Sequence, residues 1–114
     1  MVMPNDLRRE VRQLHAEICQ ALSDSNRILI LYELHSGPRN VGELAETLGL
    51  SQPTVSRHLK VLRERGVVLT QREGTSVYYS LTDARVIEAL DLLRNVLTGI
   101  LDRRLMMAGE LAAA

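Results

Sequence analysis

Between Asp6 and Leu22 the apolar residues Leu7, Val11, Leu14, Ile18 and then Ala21 or Leu22 recur at spacings of three and four. Arg8, Arg9, Arg12, Glu17 and Gln20 take the other faces, so the segment is predicted to be an amphipathic helix. A second helix is predicted from a Ser23 or Asp24 cap to His35, where Ser36-Gly37-Pro38 stops it. Ile28, Leu29, Leu31, Tyr32 and Leu34 make it apolar around much of its circumference, as expected of a central core helix. Val41 to Leu48 is a short amphipathic helix with Leu44, Ala45 and Leu48 inward. Val67–Thr70 and Val77–Leu81 read as strands, joined by Gln71 to Ser76 with Gly74 making the turn. A last helix, capped by Thr82 or Asp83, is predicted to run to about Gly109. Its stripe of Val86, Leu90, Leu93, Leu97 and Ile100 is widened by Ile87 and Leu101. The expected fold is mainly α with one β-hairpin, a single domain over residues 1–114.

The richest stretch is Gly42 to Gly66, GELAETLGLSQPTVSRHLKVLRERG. Gly49 suits a left-handed turn, Leu50 anchors it, and Ser51 can cap a following helix with Pro53 in its first turn. At about 100° per residue, Val55, Leu59 and Leu62 form a narrow buried stripe. Pro53, Arg57, Lys60 and Glu64 fall opposite, with Ser56 at the edge. This is the pattern of a helix-turn-helix, residues 42–66, whose second helix enters the major groove by its N-terminal end. Gln52, Thr54, Ser56 and Arg57 are the candidate base readers, and Ser51, His58, Lys60 and Arg63 the candidate phosphate contacts, His58 having the alternative of a hydrogen bond at the flank of the helix. The hairpin, residues 67–81, would act as a wing, with Arg72 and Thr75 at its tip reaching the minor groove.

Composition changes this picture in few places. Aromatic residues are 3% of the chain, so aliphatic side chains must supply the core. The formal net charge is zero, yet Ser51 to Arg72 carries Arg57, Lys60, Arg63, Arg65 and Arg72 against the single acid Glu64. A neutral chain with one basic strip binds phosphate locally rather than as a general nucleic-acid coat. One cysteine, Cys19, excludes an intrachain disulfide framework. With no apolar run of the roughly 18 residues a membrane span needs, and no leader pattern, a cytoplasmic protein is expected.

The stretches ALSDSNRILILYEL, VGELAETLGLSQPTVSRHLKVLRERGVV and REGTSVYYSLTD resemble the ArsR/SmtB family of winged helix-turn-helix repressors. The resemblance covers about Ile18 to Leu101. It implies a homodimer formed by the first and last helices, residues 1–22 and 83–109, bound to an imperfect promoter palindrome in double-stranded DNA. It also implies repression relieved by an inducer. The last helix independently suggests a partner, because it outruns the core of a compact monomer. Leu7, Val11, Leu14 and Ile18 would join Val86, Leu90, Leu93, Leu97 and Ile100 in that interface.

Departures from the family pattern bear on the effector. Where many relatives carry a CVCDL-like metal-binding segment, this chain has Asn40, Val41, Gly42, Glu43 and Leu44. At the zinc positions of the paired last helices it has Asp83, Arg85, Val96 and Gly99, of which only Asp83 is a ligand type. No metal site and no cofactor is therefore expected, which leaves a small molecule, a redox signal, or nothing beyond regulated synthesis as the control. Cys19 reads most simply as a buried apolar thiol. The alternative is a redox- or metal-responsive repressor using Cys19, with His15 one turn earlier, across the dimer. An enzyme is not expected: three scattered histidines, one cysteine and no phosphate-cradling glycine loop provide no catalytic constellation. A winged module used for protein contact would not need the basic outer face.

Overall fold

The computed structural model describes residues 4–113. Helix α1 spans Asn5–Leu14 and runs on into a π-helical turn, His15–Cys19. Then come α2 (Ser25–Leu34), α3 (Val41–Leu48), α4 (Gln52–Glu64), β1 (Val68–Glu73), β2 (Ser76–Leu81) and α5 (Arg85–Ala113). The chain forms two compact units, divided between Asp83 and Ala84. No helix among the described residues is long and apolar enough to cross a membrane.

The first unit is built around α2, which touches α3, α4 and β2. Ile30, Leu31, Leu44, Val55, Leu59, Leu62 and Val68 are its largest fully buried side chains. Local chemistry fixes the elements around them. Asp24, not Ser23, caps α2: its carboxylate accepts from the backbone N–H groups of Asn26 (2.8 Å) and Arg27 (3.4 Å). Ser23 instead donates its hydroxyl to the Gln20 carbonyl at 2.7 Å. A reciprocal capping box starts α3, with Asn40 Oδ1 accepting from the Glu43 N–H at 2.8 Å and Glu43 Oε1 from the Asn40 N–H at 3.1 Å. Gly49 (φ +67°) and Gly66 (φ +76°) close α3 and α4 in the left-handed conformation. At each of them the following amide reaches back to the helix, Leu50 N–H to the Ala45 carbonyl and Val67 N–H to that of Leu62.

Several elements differ from those predicted. The first helix is not uniform: the π-helical turn places an extra residue at His15–Cys19, which offsets Leu7, Val11 and Leu14 from Ala21. Those three leucine and valine side chains are exposed and Ala21 is buried. The strands are longer than their apolar runs, at six residues each. Backbone pairing carries the ladder through the polar residues Gln71, Arg72 and Glu73 to the pair Glu73–Ser76. Only Gly74 and Thr75 remain in the turn, and φ is positive at Gly74 alone, the pattern of a II′ hairpin turn. Arg39 joins the sheet beside β2 through two hydrogen bonds with Tyr79, at 3.0 and 2.8 Å.

The second unit is α5, at 29 residues. It extends beyond the predicted end at Gly109, and Ile87 and Leu90 are its buried residues. Leu93, Leu97, Ile100 and Leu101 on the predicted stripe are exposed. Leu90, at 5% exposure, is already buried within the chain, unlike Leu93 and Leu97 of the predicted partner-facing stripe.

Candidate nucleic-acid interface

Helix α4 divides by its own periodicity. Val55, His58, Leu59 and Leu62 are buried; Gln52, Ser56, Arg57, Lys60 and Arg63 are exposed. Its first turn is organised by Ser51, whose hydroxyl oxygen accepts from the Thr54 N–H at 3.3 Å while its proton goes to Thr54 Oγ1 at 2.8 Å. Ser51 is therefore engaged in capping, and Thr54, which accepts that proton, keeps its own hydroxyl hydrogen for donation. Pro53 leaves the first turn one N–H fewer.

Several of the predicted side chains converge on one feature. A groove of about 400 Å³ is lined by Ser56, Lys60, Arg63 and Glu64 of α4 and by Tyr79 of β2. Two cationic side chains, a hydroxyl and a phenol at the junction of helix and wing suit a nucleic-acid backbone, with Glu64 repelling phosphate from one end. Tyr79 was not among the predicted residues. It stands opposite Thr70 in the hairpin and also pairs with Arg39, 40 positions earlier. Arg72 and Thr75 are exposed at the hairpin tip, apart from the groove lining.

His58 does not belong with the phosphate contacts. It is 6% exposed, on the flank of the buried stripe. Its Nδ1 lies 3.4 Å from Arg27 Nη1, and its Nε2 lies 3.8 Å from Asp24 Oδ1. A guanidinium can only donate, so this contact is a hydrogen bond when Nδ1 carries no proton, and Nε2 faces Asp24. The sequence signal for an outward histidine was its position in a basic run; its partners lie far away along the chain.

Partial burial pushes the Asp24 carboxyl upward. The Asn26 and Arg27 amides, and the charges of His58 and Arg27, outweigh it and hold the group below the ordinary carboxylate value of 3.8. A carboxylate whose folded-state pKa is depressed adds stability above its unfolded pKa and loses it as pH falls through the folded value. Asp24→Asn retains a capping side chain but cannot titrate. The stability advantage of the natural chain over this variant is expected to shrink between about pH 5 and pH 3. Urea unfolding midpoints measured along that range check it, and a constant difference would contradict the assignment.

Cys19 is exposed in the π-helical turn, not buried as its simplest sequence reading held, and His15 is exposed as well. Of the predicted partner-facing residues, Leu7, Val11, Leu14, Leu93, Leu97 and Ile100 are exposed, and Ile18 and Val86 are half-buried.

Residues 24–70 match the model of the bacterial regulatory protein arsR family. Over 76 residues the chain is 45% identical to the transcriptional regulator NmtR of Mycobacterium tuberculosis, covering 67% of this chain and 63% of NmtR, so it spans under two thirds of that relative. It is 33% identical over 91 residues to the biofilm growth-associated repressor of Xylella fastidiosa, covering 80% of this chain and 79% of the repressor. Among solved structures it is similar to the homodimeric winged helix-turn-helix DNA-binding domain of Mb0332 from Mycobacterium bovis. There the TM-score is 0.73 and the identity 29%, over 90% of this chain and 95% of that one.

Proposed function

The chain belongs to the bacterial ArsR family of transcriptional regulators, and from that premise we propose that it is a cytoplasmic, homodimeric repressor of a palindromic operator, with α4 as its reading helix. One observation carries the reading: the exposed face of α4 bears Gln52, Ser56, Arg57, Lys60 and Arg63, in a chain whose net charge is zero. Concentrating cations there gives α4 local attraction for phosphate, and the excess of acids elsewhere discourages indiscriminate coating of DNA. Gln52, Thr54, Ser56 and Arg57 contribute base contacts near the helix N-terminus. Lys60 and Arg63 hold the backbone in the groove they share with Tyr79, and Arg72 and Thr75 carry the wing tip to the flanking minor groove.

The dimer arises from the apolar residues left exposed on α1 and α5. A two-fold assembly of this kind presents two copies of α4 to successive major grooves. Selection of bound sequences from a random duplex pool is expected to return an inverted repeat with half-site centres about 10 bp or a multiple of it apart. Absence of enrichment, or affinity that does not fall with rising salt, would contradict the reading.

A further inference from the structure

Two ties connect α4 to the helical segment that precedes α2. The first passes through its buried side. His58 meets Arg27, and Arg27 donates from Nε to the Ala21 carbonyl at 2.8 Å and from Nη2 to the Gln20 carbonyl at 3.1 Å and the Ser23 hydroxyl at 3.4 Å. The guanidinium thereby bridges the carbonyl end of the N-terminal helical segment and the middle of α4. Asp24 stands 3.8 Å from Nε2 on the other side of the ring, beyond hydrogen-bond reach but close enough to hold the imidazole dipole. The second tie is at the surface, where Arg65 at the end of α4 lies 3.6 Å from Glu17 in the π-helical turn.

A buried imidazole is costly beside an aliphatic side chain of similar size, so packing alone does not call for it. What it adds is direction. A leucine there would tolerate a small roll of α4, whereas a ring held between a guanidinium and a carboxylate fixes the helix about its axis. We propose that His58 is a positioning residue for DNA recognition: through Arg27 it locks the roll of the reading helix to the N-terminal segment that carries the dimer stripe. The two reading helices then keep the orientation that an inverted repeat demands. The inference rests on the DNA-reading function proposed above. It assigns to His58 an effect on operator affinity without any contact with DNA.

The test compares His58→Leu, His58→Gln, Arg27→Met and Lys60→Ala on the selected operator, as a function of salt, with dimer mass and thermal midpoint measured for each. His58→Leu is expected to remain a folded dimer and to lose about tenfold in affinity, with the salt slope of binding unchanged. His58→Gln restores most of the loss, because its amide oxygen can accept from Arg27. Arg27→Met reproduces the loss from a half-buried position, and serves where His58→Leu fails to fold. A variant carrying both His58→Leu and Arg27→Met is expected to be no weaker than either single one, as for members of one linkage. Wild-type affinity in both His58→Leu and Arg27→Met overturns the proposal. So does a salt slope that falls by about one per subunit in His58→Leu, which would mark a direct phosphate contact. Lys60→Ala separates the premise from the proposal. If it too binds normally, the DNA-reading role of α4 fails; if it alone is weakened, only the positioning role fails.

Discussion

Alanine at both Arg57 and Lys60 is expected to weaken operator binding by roughly a hundredfold or more near physiological salt, because each side chain acts once per subunit and a good base contact is worth about 1–3 kcal/mol. Both side chains are exposed on α4, opposite Val55, Leu59 and Leu62. Truncating them leaves the core intact, and fold and dimer should survive within about 0.5 kcal/mol. Two effects should separate within the pair. Lys60→Ala lowers affinity for all sequences alike and reduces the salt slope by about one for each phosphate left without its cation. Arg57→Ala relaxes the preference at one position of each half-site. Fluorescence anisotropy across a salt series, with sedimentation as the check on dimer mass, measures both. Undiminished affinity at fixed salt would remove α4 from the DNA interface.

The parts of this interface that were legible in the sequence are those made by neighbours. Gly49, Ser51, Pro53 and Gly66 act within a few residues of themselves, through a left-handed φ, a capping hydroxyl and a missing N–H, so their types announce the turn and the bounds of α4. The parts that were not legible depend on distant partners. His58 has an amphipathic position and a basic neighbourhood. Only Arg27, 31 residues away, and Asp24 make it a buried, satisfied ring. Tyr79 has a strand position that the hairpin pattern shows, but its pairing with Arg39, 40 positions earlier, is not local. The wing outgrew its apolar runs because a backbone ladder needs no buried side chain to continue, and Gly74 allows the tightest turn. Leu90 and Leu97 belong to the same heptad-like pattern, yet one is buried and the other exposed. Periodicity identifies a face, but not where along a helix the chain's own core ends.

That last distinction gives the second large effect. Leu93 and Leu97 of α5 are 59% and 52% exposed, and Ile100 and Leu101 continue the same stripe. Leu97→Glu places a carboxylate in the proposed interface, where two-fold symmetry brings a second copy of the stripe against it. Burial of an unpaired charge costs several kcal/mol, and each dimer would bear two. The variant is expected to sediment as a folded monomer at concentrations where the natural chain is a dimer. Its operator affinity should fall about 100-fold or more, because the second half-site is no longer bound at a high effective concentration. Leu92→Glu is the matched control. Leu92 is 65% exposed on the same helix, but lies about 140° around the axis from Leu97 at 100° per residue. That variant should stay dimeric and bind DNA normally. If Leu97→Glu remains dimeric, or if Leu92→Glu disrupts the dimer equally, the α5 stripe is not the subunit interface. In that event the exposed leucines of α1, on the other side of the Arg27–His58 tie, would have to supply the symmetry of the DNA-bound form.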